Sequence, residues 1–570
     1  MKFIEFDHHK CDECYKCLRV CPTKAIKFTE HNRDIINSLC IKCGLCQASC
    51  PQSALTIQND RHKIKKQIHL GRKIAVSLAP SFAAAFDDAD PKKIITALRT
   101  LGVTWVEETG VAAELVSRNY EAMLETMGTE NVLTTCCPSA NYLVQQYYPE
   151  LLDAMLPVVS PMIAHGKLLK EKYGPDCYTV FIGPCLAKKA EAEEMPYIDA
   201  VLTFNELAGW LEDEGIPYRQ LPPGVFDEKA TIRGMAYPMG GSLFKNDRQT
   251  PIHSGYRMIR ADGIDRCKDL LETLKIGGIK NYCIEMNICS GSCINGPDMP
   301  HDGLKFFQRK DRMLDYLKAH ADHRELDQLL CESSADLSFK HDFEAHVVQL
   351  KKPTKEEVNE ILRKIDKFSE KDHLNCGACG YETCVSKAIA VYNEMSKPQM
   401  CLPYLRSKAE SLSMALFENT PNLVCVLDHQ LNILEYNPTF AKTFDMEKHS
   451  LKEVPVVAFL DGPFFSECVR LKKSIFGQRV HLETIGKVLY CNAIYTERFI
   501  LGIMTDMTAV EKSRQELAAV KEKTLVACQE VINKQMRVAQ EIASLLGETT
   551  AETKVNLNRL KEIVMMDEGY

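Results

Sequence analysis

The sequence lacks the features of a membrane-spanning, secreted or nucleic-acid-binding protein. It holds no apolar run near the ~18 residues that span a bilayer, and it begins Met-Lys-Phe-Ile-Glu, without a charged-then-apolar leader. Its net charge of -7 includes no long basic run, so the electrostatic footprint of nucleic-acid binding is missing. We therefore expect a cytoplasmic protein whose partners include neither a membrane nor a nucleic acid.

A disulfide framework is also excluded, although cysteine is abundant. The chain has 25 cysteines in 570 residues, and without a secretory signal so many thiols indicate metal binding or catalysis. They concentrate in residues 11–50, 136–293 and 376–401. With 45% hydrophobic residues, the length is enough for roughly three to five packed cores. The sequence thus predicts a multidomain protein of mixed α/β and α+β class.

The first cysteine region is a duplicated motif. A C-x2-C-x2-C-x3-C-P run starts at Cys11, and the same run starts at Cys40. In such a pair, three thiolates of one run and the fourth of the other bind each cluster. We predict two 4Fe-4S clusters within residues 1–60, and two zinc knuckles are the weaker alternative. Their ligands are thiol set A (Cys11, Cys14, Cys17 and Cys50) and thiol set B (Cys40, Cys43, Cys46 and Cys21). This region resembles a bacterial two-cluster ferredoxin.

After a basic linker, residues 61–73, apolar strands alternate with helical patterns over residues 70–350, which predicts an α/β domain. Three cysteine motifs fall at its loops. They are residues 134–139 (Thr-Thr-Cys-Cys-Pro-Ser), residues 183–189 (Gly-Pro-Cys-Leu-Ala-Lys-Lys) and residues 285–296, which contain a C-x3-C pair. Each motif alone is weak, because a C-x3-C pair suits zinc as well as iron.

Together and in this order, the three motifs resemble those of the active-site domain of iron-iron (FeFe) hydrogenases. The resemblance implies an H-cluster, which is a 4Fe-4S cluster joined to a two-iron unit with CO, CN and a bridging dithiolate. It also implies H2 and protons as substrates and an electron carrier such as ferredoxin. The implied cluster ligands are thiol set C (Cys137, Cys185, Cys289 and Cys293), with Cys293 bridging to the two-iron unit.

The same resemblance assigns roles around the two-iron unit. Lys188 would donate a hydrogen bond to a cyanide, since an ammonium is a compact donor suited to an anionic ligand. Pro80 and Ser81 match the Ala-Pro-Ser segment that lines the family's pocket. Gly183 and Asn287 stand where the family usually has methionines, and Met162 stands where it has glutamine. We expect Gly183 to open space and the three exchanges to retune the cluster, although neutral drift is an alternative.

The family's route for protons to the cluster, which consists of a cysteine, two glutamates and a serine, is only partly present. The resemblance places Cys136 and Glu114 on it, so that Cys136, Glu114 and Lys188 are the candidate catalytic residues. The family's other glutamate corresponds to Val111 and its serine to Leu156, and neither side chain can carry a proton. We therefore expect low turnover.

A third cysteine region follows, and we assign residues 354–405 to a small iron–sulfur domain. The spacing C-x2-C-x4-C-x16-C, with glycines beside the first two cysteines, predicts one further 4Fe-4S cluster, with zinc as the alternative. The ligands form thiol set D (Cys376, Cys379, Cys384 and Cys401). The segment resembles the small iron–sulfur domain of corrinoid iron–sulfur proteins.

Residues 410–508 resemble a PAS domain, with apolar strands at 422–428 and 431–437 and Asn437-Pro438 opening the helices. Residues 509–570 then carry a heptad repeat, which predicts a coiled-coil helix and a homodimer. Its positions are Val510, Leu517, Thr524, Val531, Val538 and Leu545. Thr549 and Thr550 should end it. We found no kinase or phosphatase motif, so such an activity would belong to a signalling partner.

Three functional hypotheses remain. The first is a sensory FeFe hydrogenase that acts on H2 slowly, relays electrons through its clusters and signals through the PAS domain and terminal helix. The second is an ordinary hydrogenase coupled to ferredoxin, which high turnover would favour. The third is an iron–sulfur and PAS redox sensor without the two-iron unit.

Overall fold

The computed structural model divides the chain into two compact units, Met1–Leu405 and Arg406–Tyr570. The residues that it describes are 4–29, 33–86, 90–126, 128, 130–241, 252, 253, 255–300, 303–320, 337–445, 453–460, 463–546, 555, 556, 558 and 559. None of the described helices has both the length and the apolar character that a membrane crossing requires.

The first unit begins with a small domain built twice from the same parts. The third cysteine of each run lies in a short helix, Lys16–Val20 or Leu45–Ala48. The four strands are β1 (Ile4–Phe6), β2 (Ile26–Phe28), β3 (Arg33–Ile35) and β4 (Leu55–Ile57). β1 pairs antiparallel with β4, and β2 pairs antiparallel with β3. The structure thus repeats itself as the sequence does.

Part of the expected linker is a helix, Arg61–His69. The helix has an apolar face, because Ile64 and Ile68 stand one helical turn apart. Its many basic residues made this face hard to recognise in the sequence. Ile64 is buried, and Ile68 packs against the central core. Burial of this face therefore orders a segment whose composition indicated a linker.

The domain that follows has two four-stranded sheets. Their strands are β5 (Ile74–Leu78), β6 (Trp105–Glu108), β7 (Asn131–Leu133), β8 (Tyr178–Gly183), β9 (Ala200–Thr203), β10 (Ile252–His253), β11 (Tyr256–Asp262) and β12 (Tyr282–Asn287). One sheet has the order β6-β5-β8-β9 and is parallel throughout, and the other has the order β10-β11-β12-β7 with only the edge strand β10 antiparallel. Every residue of β5 is buried, as expected for a parallel strand covered on both faces. The predicted α/β class is confirmed.

Helices cover both sheets. They are Phe82–Ala85, Lys93–Thr100, Gly110–Leu124, Pro138–Tyr147, Pro161–Tyr173, Ala187–Glu194, Phe204–Asp213, Ile232–Ala236, Ile264–Lys275 and Phe306–Ala319. Pro138 and Pro161 stand in the first turn of their helices, where a missing N–H costs no hydrogen bond. The carboxyl ends of parallel strands meet at one edge of a sheet. The loops that follow the parallel strands of each sheet therefore converge at that edge.

The last part of the first unit is small and helical. Helices Lys355–Arg363 and Cys384–Tyr392 pack through a shared apolar core. The Thr354 hydroxyl accepts a hydrogen bond from the Glu357 amide, and the Glu357 carboxylate accepts one from the Thr354 amide. The two bonds form a capping box at the N-terminus of helix Lys355–Arg363.

The second unit contains a five-stranded antiparallel sheet. Its strands are β13 (Leu423–Leu427), β14 (Ile433–Tyr436), β15 (Ile475–Leu482), β16 (Lys487–Tyr495) and β17 (Ile500–Asp506). Their order in the sheet is β14-β13-β17-β16-β15. Helices Pro438–Thr443 and Pro463–Leu471 join them. As predicted, Asn437 opens the first of these helices, since its side-chain oxygen accepts a hydrogen bond from the Phe440 amide at 3.0 Å.

Two long helices flank this sheet in sequence. Helix Leu402–Asn419 precedes it and runs through residue 410, the expected domain boundary. Helix Thr508–Leu546, of 39 residues, follows it. Its heptad side chains Val510, Leu517, Val531 and Val538 are exposed. The expected end at Thr549 and Thr550 lies outside the described residues.

Candidate active site and cluster-binding sites

The loops after β5, β7, β8 and β12 enclose a cavity of about 80 Å³. Most of the residues assigned to the active site line it, although they come from distant parts of the sequence. These are Pro80, Ser81, Cys136, Met162, Cys185, Lys188, Asn287 and Cys293. Among the lining residues without an assignment, four have a polar or aromatic side chain. They are Thr109, Phe181, Tyr237 and Glu285.

The four thiols of set C lie together beside this cavity. Burial, and then the neighbouring thiols of Cys185, Cys137 and Cys293, raise the pKa of Cys289 well above its usual value. Crowded thiols oppose one another's ionisation, and a cationic iron centre removes that opposition because it binds the thiolate form. The donor set therefore fits an iron–sulfur cluster.

The thiol of Cys293 opens onto the cavity. Its side chain is exposed and lines the cavity. Cys293 lies in the short 3-10 helix Ser292–Asn295, which directly follows a positive-φ glycine, Gly291. Among the thiols of set C, Cys293 and Cys185 line the cavity.

Lys188 is a buried ammonium held at the cavity wall. It donates a hydrogen bond of 2.7 Å to Glu191 and a longer one of 3.5 Å to the Cys136 carbonyl. Burial opposes its charge, but Glu191 and the Cys185 thiolate hold the pKa of Lys188 above its usual value. An ammonium has three N–H donors, so these contacts leave one for a ligand.

Cys136 has polar neighbours that sequence reasoning missed. Burial, and then the Glu285 carboxylate, raise the pKa of the Cys136 thiol well above its usual value. Tyr237 also lies beside this thiol, and its buried hydroxyl makes no hydrogen bond of regular geometry. Glu285 opens the third cysteine motif, so the sequence carried a signal for it. No comparable signal marks Tyr237.

Glu285 is itself a protonatable group. Its carboxylate accepts hydrogen bonds from the Asn287 side chain at 3.0 Å and from the Gly241 amide at 2.7 Å. Burial nevertheless raises the pKa of Glu285 above its usual value. A carboxyl group of raised pKa beside Cys136 is suited to taking up and releasing a proton.

The structure does not join Glu114 to Cys136. The Glu114 carboxylate contacts Thr231 at 3.1 Å, Arg118 at 3.0 Å and Arg233 at 3.5 Å. None of these partners lines the cavity. Val111 and Leu156 are buried in the apolar core. The relay role of Glu114 therefore remains a prediction to which the described contacts add no support.

The expectation that Gly183 leaves open space is wrong. A Cβ atom at this position would lie 2.7 Å from two ring carbons of Phe181 and 3.0 Å from the Ala79 Cβ. The Phe181 ring occupies that space and lines the cavity, whereas Gly183 does not line it. Asn287 does line the cavity, but its amide is engaged by Glu285.

Sets A and B are grouped as the crossed pattern requires. Burial raises the pKa of Cys17 to about 12, and the other thiols of set A, those of Cys11, Cys50 and Cys14, contribute. Burial also raises the pKa of Cys43 well above its usual value, with contributions from Cys21 and Cys40 of set B. Thus Cys21 lies with the second run, although it belongs to the first.

The thiols of set D line one pocket, which also contains Lys387. Lys387 is buried and donates hydrogen bonds to the Ser396 hydroxyl and, at 2.8 Å, to the Lys397 carbonyl. Burial lowers the pKa of Lys387 to about 8, and the thiolates of Cys379 and Cys401 oppose that shift. In the described part of the chain, no three or more His, Cys, Asp or Glu side chains are placed to hold a single metal ion.

Comparison with protein families assigns three segments. Residues 72–297 match the iron-only hydrogenase large subunit, C-terminal domain. Residues 3–51 match a 4Fe-4S dicluster domain, and residues 372–403 match a family described as an Fe-S cluster.

Several characterised proteins are similar to this chain. Iron hydrogenase 1 of Clostridium pasteurianum is 27% identical over a match of 393 residues that covers 54% of this chain and 67% of that protein. The periplasmic [Fe] hydrogenase large subunit of Nitratidesulfovibrio vulgaris is 29% identical over 369 residues, covering 53% and 87%. Cytosolic iron-sulfur assembly component 3 of Bos taurus is 23% identical over 364 residues, covering 50% and 76%.

Among solved structures, that of the [FeFe]-hydrogenase HydA(deltaEFG) aligns with a TM-score of 0.40 at 19% identity and covers 51% of this chain and 100% of its own. The sequence comparisons and the thiol-lined cavity agree in their assignment. Within the first unit, residues 3–51 are therefore similar to a 4Fe-4S dicluster domain, and residues 72–297 are similar to the C-terminal domain of the iron-only hydrogenase large subunit.

Proposed function

We propose that this protein is a sensory FeFe hydrogenase of low turnover. The observation that carries the proposal is the cavity beside Cys293, where a buried ammonium, a thiol and two hydroxyls that make no hydrogen bond of regular geometry meet. The hydroxyls are those of Ser81 and Tyr237, and buried polar groups normally have partners. The site therefore fits a polar ligand. When bound there, the two-iron unit of an H-cluster would supply heterolytic cleavage of H2.

The residues of this chain would bind the H-cluster and transfer protons to and from it. The thiols of set C would bind the 4Fe-4S part, and Lys188 would donate a hydrogen bond into the cavity. Cys136 would take up or give a proton at its Sγ, and Glu285 is the carboxyl group next to it. Because Val111 and Leu156 are apolar and buried, onward proton transfer along the predicted relay would be slow, which suits a sensor better than a high-flux enzyme.

The second unit supplies the signalling part of the proposal. The order of its sheet, with strands β13 and β14 where the sequence predicts them, supports a PAS domain. The exposed heptad positions of helix Thr508–Leu546 support pairing with a second copy. Ferredoxin as electron carrier, a separate kinase or phosphatase partner and a cytoplasmic location complete the proposal.

Infrared spectra of the matured protein under H2 and under inert gas, together with turnover, test this function. A sensory hydrogenase shows CO and CN bands that shift under H2, with low turnover. Turnover comparable to efficient hydrogenases indicates an ordinary enzyme. Absence of CO and CN bands after maturation indicates a redox sensor without the two-iron unit, and the similarity to an iron-sulfur assembly component keeps that outcome in view.

A pair of cysteine variants adds a control. Cys136→Ala removes the thiol that faces the cavity, and we expect it to lower turnover while the CO and CN bands remain. Cys177→Ala removes a buried thiol from a separate apolar cluster and should leave turnover unchanged. Equal turnover of the Cys136→Ala variant and the wild type would remove Cys136 from the proton route.

A further inference from the structure

Set B faces set C across a tightly packed boundary. Ile41 and Cys43, beside and within set B, pack in one apolar cluster with Cys137 of set C. At Gly44 the two domains approach so closely that a Cβ atom would lie 2.4 Å from the Leu186 side chain. The thiol set nearest to the active site is therefore B.

On its other side, set B faces set D. Tyr381 is buried in the apolar core that also holds Cys21. On either side of Cys379, the small domain contacts helix Lys16–Val20, which Cys21 follows: Arg19 donates a hydrogen bond of 3.4 Å to the Ala378 carbonyl, and a Cβ atom at Gly380 would lie 2.8 Å from the Leu18 side chain. Cys21 belongs to set B in space, so set D approaches B through Tyr381.

The small domain is fixed in this position by a packed interface. The Phe28 amide donates a hydrogen bond of 2.9 Å to the Met395 carbonyl, and Lys397 pairs with Glu13 at 2.9 Å. Tyr381 and Met395 belong to the same apolar core as Leu18 of the first domain. Residues nearly 400 positions apart thus form one core, which holds set D against the two-cluster domain.

Set A occupies a different place. Cys17 of set A and Cys46 of set B pack in the same apolar core, so A also neighbours B. Cys14 of set A is exposed, whereas the cysteines of set B are buried or only partly exposed. A solvent-facing set is where an external electron carrier makes contact.

We propose that set B is a three-way junction and that set D is a branch separate from set A. The inference rests on the proposed cluster ligation and concerns the path of the electrons. The duplicated motif alone would predict an unbranched path through two clusters. Oxidation of H2 yields two protons and two electrons, and each electron reduces a cluster held by A, B or D. Set D thereby follows the redox state of the active site without set A. Its ligand Cys401 directly precedes helix Leu402–Asn419, so this branch ends where the chain leaves for the second unit.

Electron paramagnetic resonance of the full chain tests the junction. After chemical reduction with dithionite, the signal of the cluster in set D should show magnetic broadening by its neighbour in B. The variant Cys14→Ala disables set A, and we expect it to keep this broadening. Under H2, the matured Cys14→Ala protein should still reduce set D to the wild-type extent. Loss of the broadening in Cys14→Ala would show that D neighbours A and would overturn the junction.

A second variant keeps the test decisive if Cys14→Ala does not fold. Met395→Glu places a charge in the buried interface, six residues from the nearest ligand, and should abolish the broadening while the iron content stays unchanged. Phe368→Glu, at an exposed position of the same domain, is the matched control and should keep it. Unchanged broadening in Met395→Glu would contradict the inferred contact.

The dithionite measurement requires no two-iron unit, so it separates this inference from the proposed function. If H2 reduces no cluster in the wild-type protein while the dithionite-reduced protein shows the B–D broadening, the hydrogenase proposal fails and the junction stands. If H2 reduces the clusters but the broadening is absent, the junction fails and the hydrogenase proposal stands.

Discussion

Two adjacent carboxylates of strand β6 have pKa values that are shifted in opposite directions. Glu107 and Glu108 point to opposite faces of the sheet, and each is at most 2% exposed. Yet the pKa of Glu107 is lowered to about 2, whereas burial raises that of Glu108 to about 7. Equal burial therefore does not decide the charge of these groups.

Their partners decide it. Burial disfavours the charge of Glu107, but His165 at 3.2 Å, Lys172 at 2.8 Å and the Tyr173 hydroxyl all contact its carboxylate. Glu108 has only the Ala230 amide at 3.3 Å and the Tyr316 hydroxyl at 3.5 Å. Neutral, distant donors do not replace the lost hydration of a carboxylate.

The largest expected effect is the loss of the well-partnered group. Glu107→Ala leaves buried His165 and the Tyr173 hydroxyl without their acceptor, and we expect the free energy of unfolding to fall by about 3–5 kcal/mol. Because the folded pKa of about 2 lies below the unfolded value of 4.5, this stabilisation is present above pH 4.5 and is lost as the pH falls towards 2. Urea denaturation at neutral pH measures the effect. A loss below about 1 kcal/mol would show that the contacts contribute no more than a surface pair.

The poorly partnered group should behave in the opposite way. Since the folded pKa of Glu108 is raised from 4.5 to about 7, the folded state binds the proton more tightly, and stability declines as the pH rises through this range. Glu108→Gln removes the charge, so we expect a gain of up to about 3 kcal/mol at about pH 8 and no gain at about pH 4. An equal change at both values would contradict the raised pKa.

Glu285 resembles Glu108, since burial raises its pKa as well, but it lies at the cavity beside Cys136. Glu285→Gln keeps the shape and removes the titrating group, and we expect turnover with H2 to fall by about 100-fold, within the range of a positioned acid–base group. Glu114→Gln is the matched control, and a larger loss in that variant would return the proton route to the predicted relay. Infrared bands establish in each case that the cluster is loaded.

The smallest expected effect concerns Lys172, whose side chain is 42% exposed and shared between Glu107 and Glu228. Lys172→Met should cost about 1 kcal/mol or less, because water screens an exposed ammonium and His165 still contacts Glu107. Thermal denaturation at low and high salt measures it. A cost near that of Glu107→Ala would mean that the lysine dominates the network.

Sequence reasoning recovered what spacing determines. The regular cysteine spacings predicted thiol sets A, B and D, including the crossing of Cys21 to the second run, and the alternation of strands and helices predicted the α/β domain. Set C followed from the family resemblance. Cluster ligands follow regular spacings because few backbone geometries wrap a cluster. The cavity residues Pro80, Ser81 and Lys188 were found through the family resemblance.

Contacts without a local pattern could not be predicted. Tyr237 lies beside Cys136 only because a loop returns to the cavity about 100 residues later, and no periodicity reports such a path. The apolar face of helix Arg61–His69 was concealed by its basic residues. The opposite shifts of Glu107 and Glu108 depend on which helix covers each face of the sheet, which adjacent letters in a sequence do not reveal.

The seat of the Phe181 ring over Gly183 links two positions of strand β8. A larger residue at 183 collides with the ring, and a smaller residue at 181 leaves a void next to a glycine. Substitutions at positions 181 and 183 should therefore be coupled. Among related chains, those with methionine at the position of Gly183 should have lost the aromatic residue two positions earlier, and a double substitution should be tolerated where either single one is not.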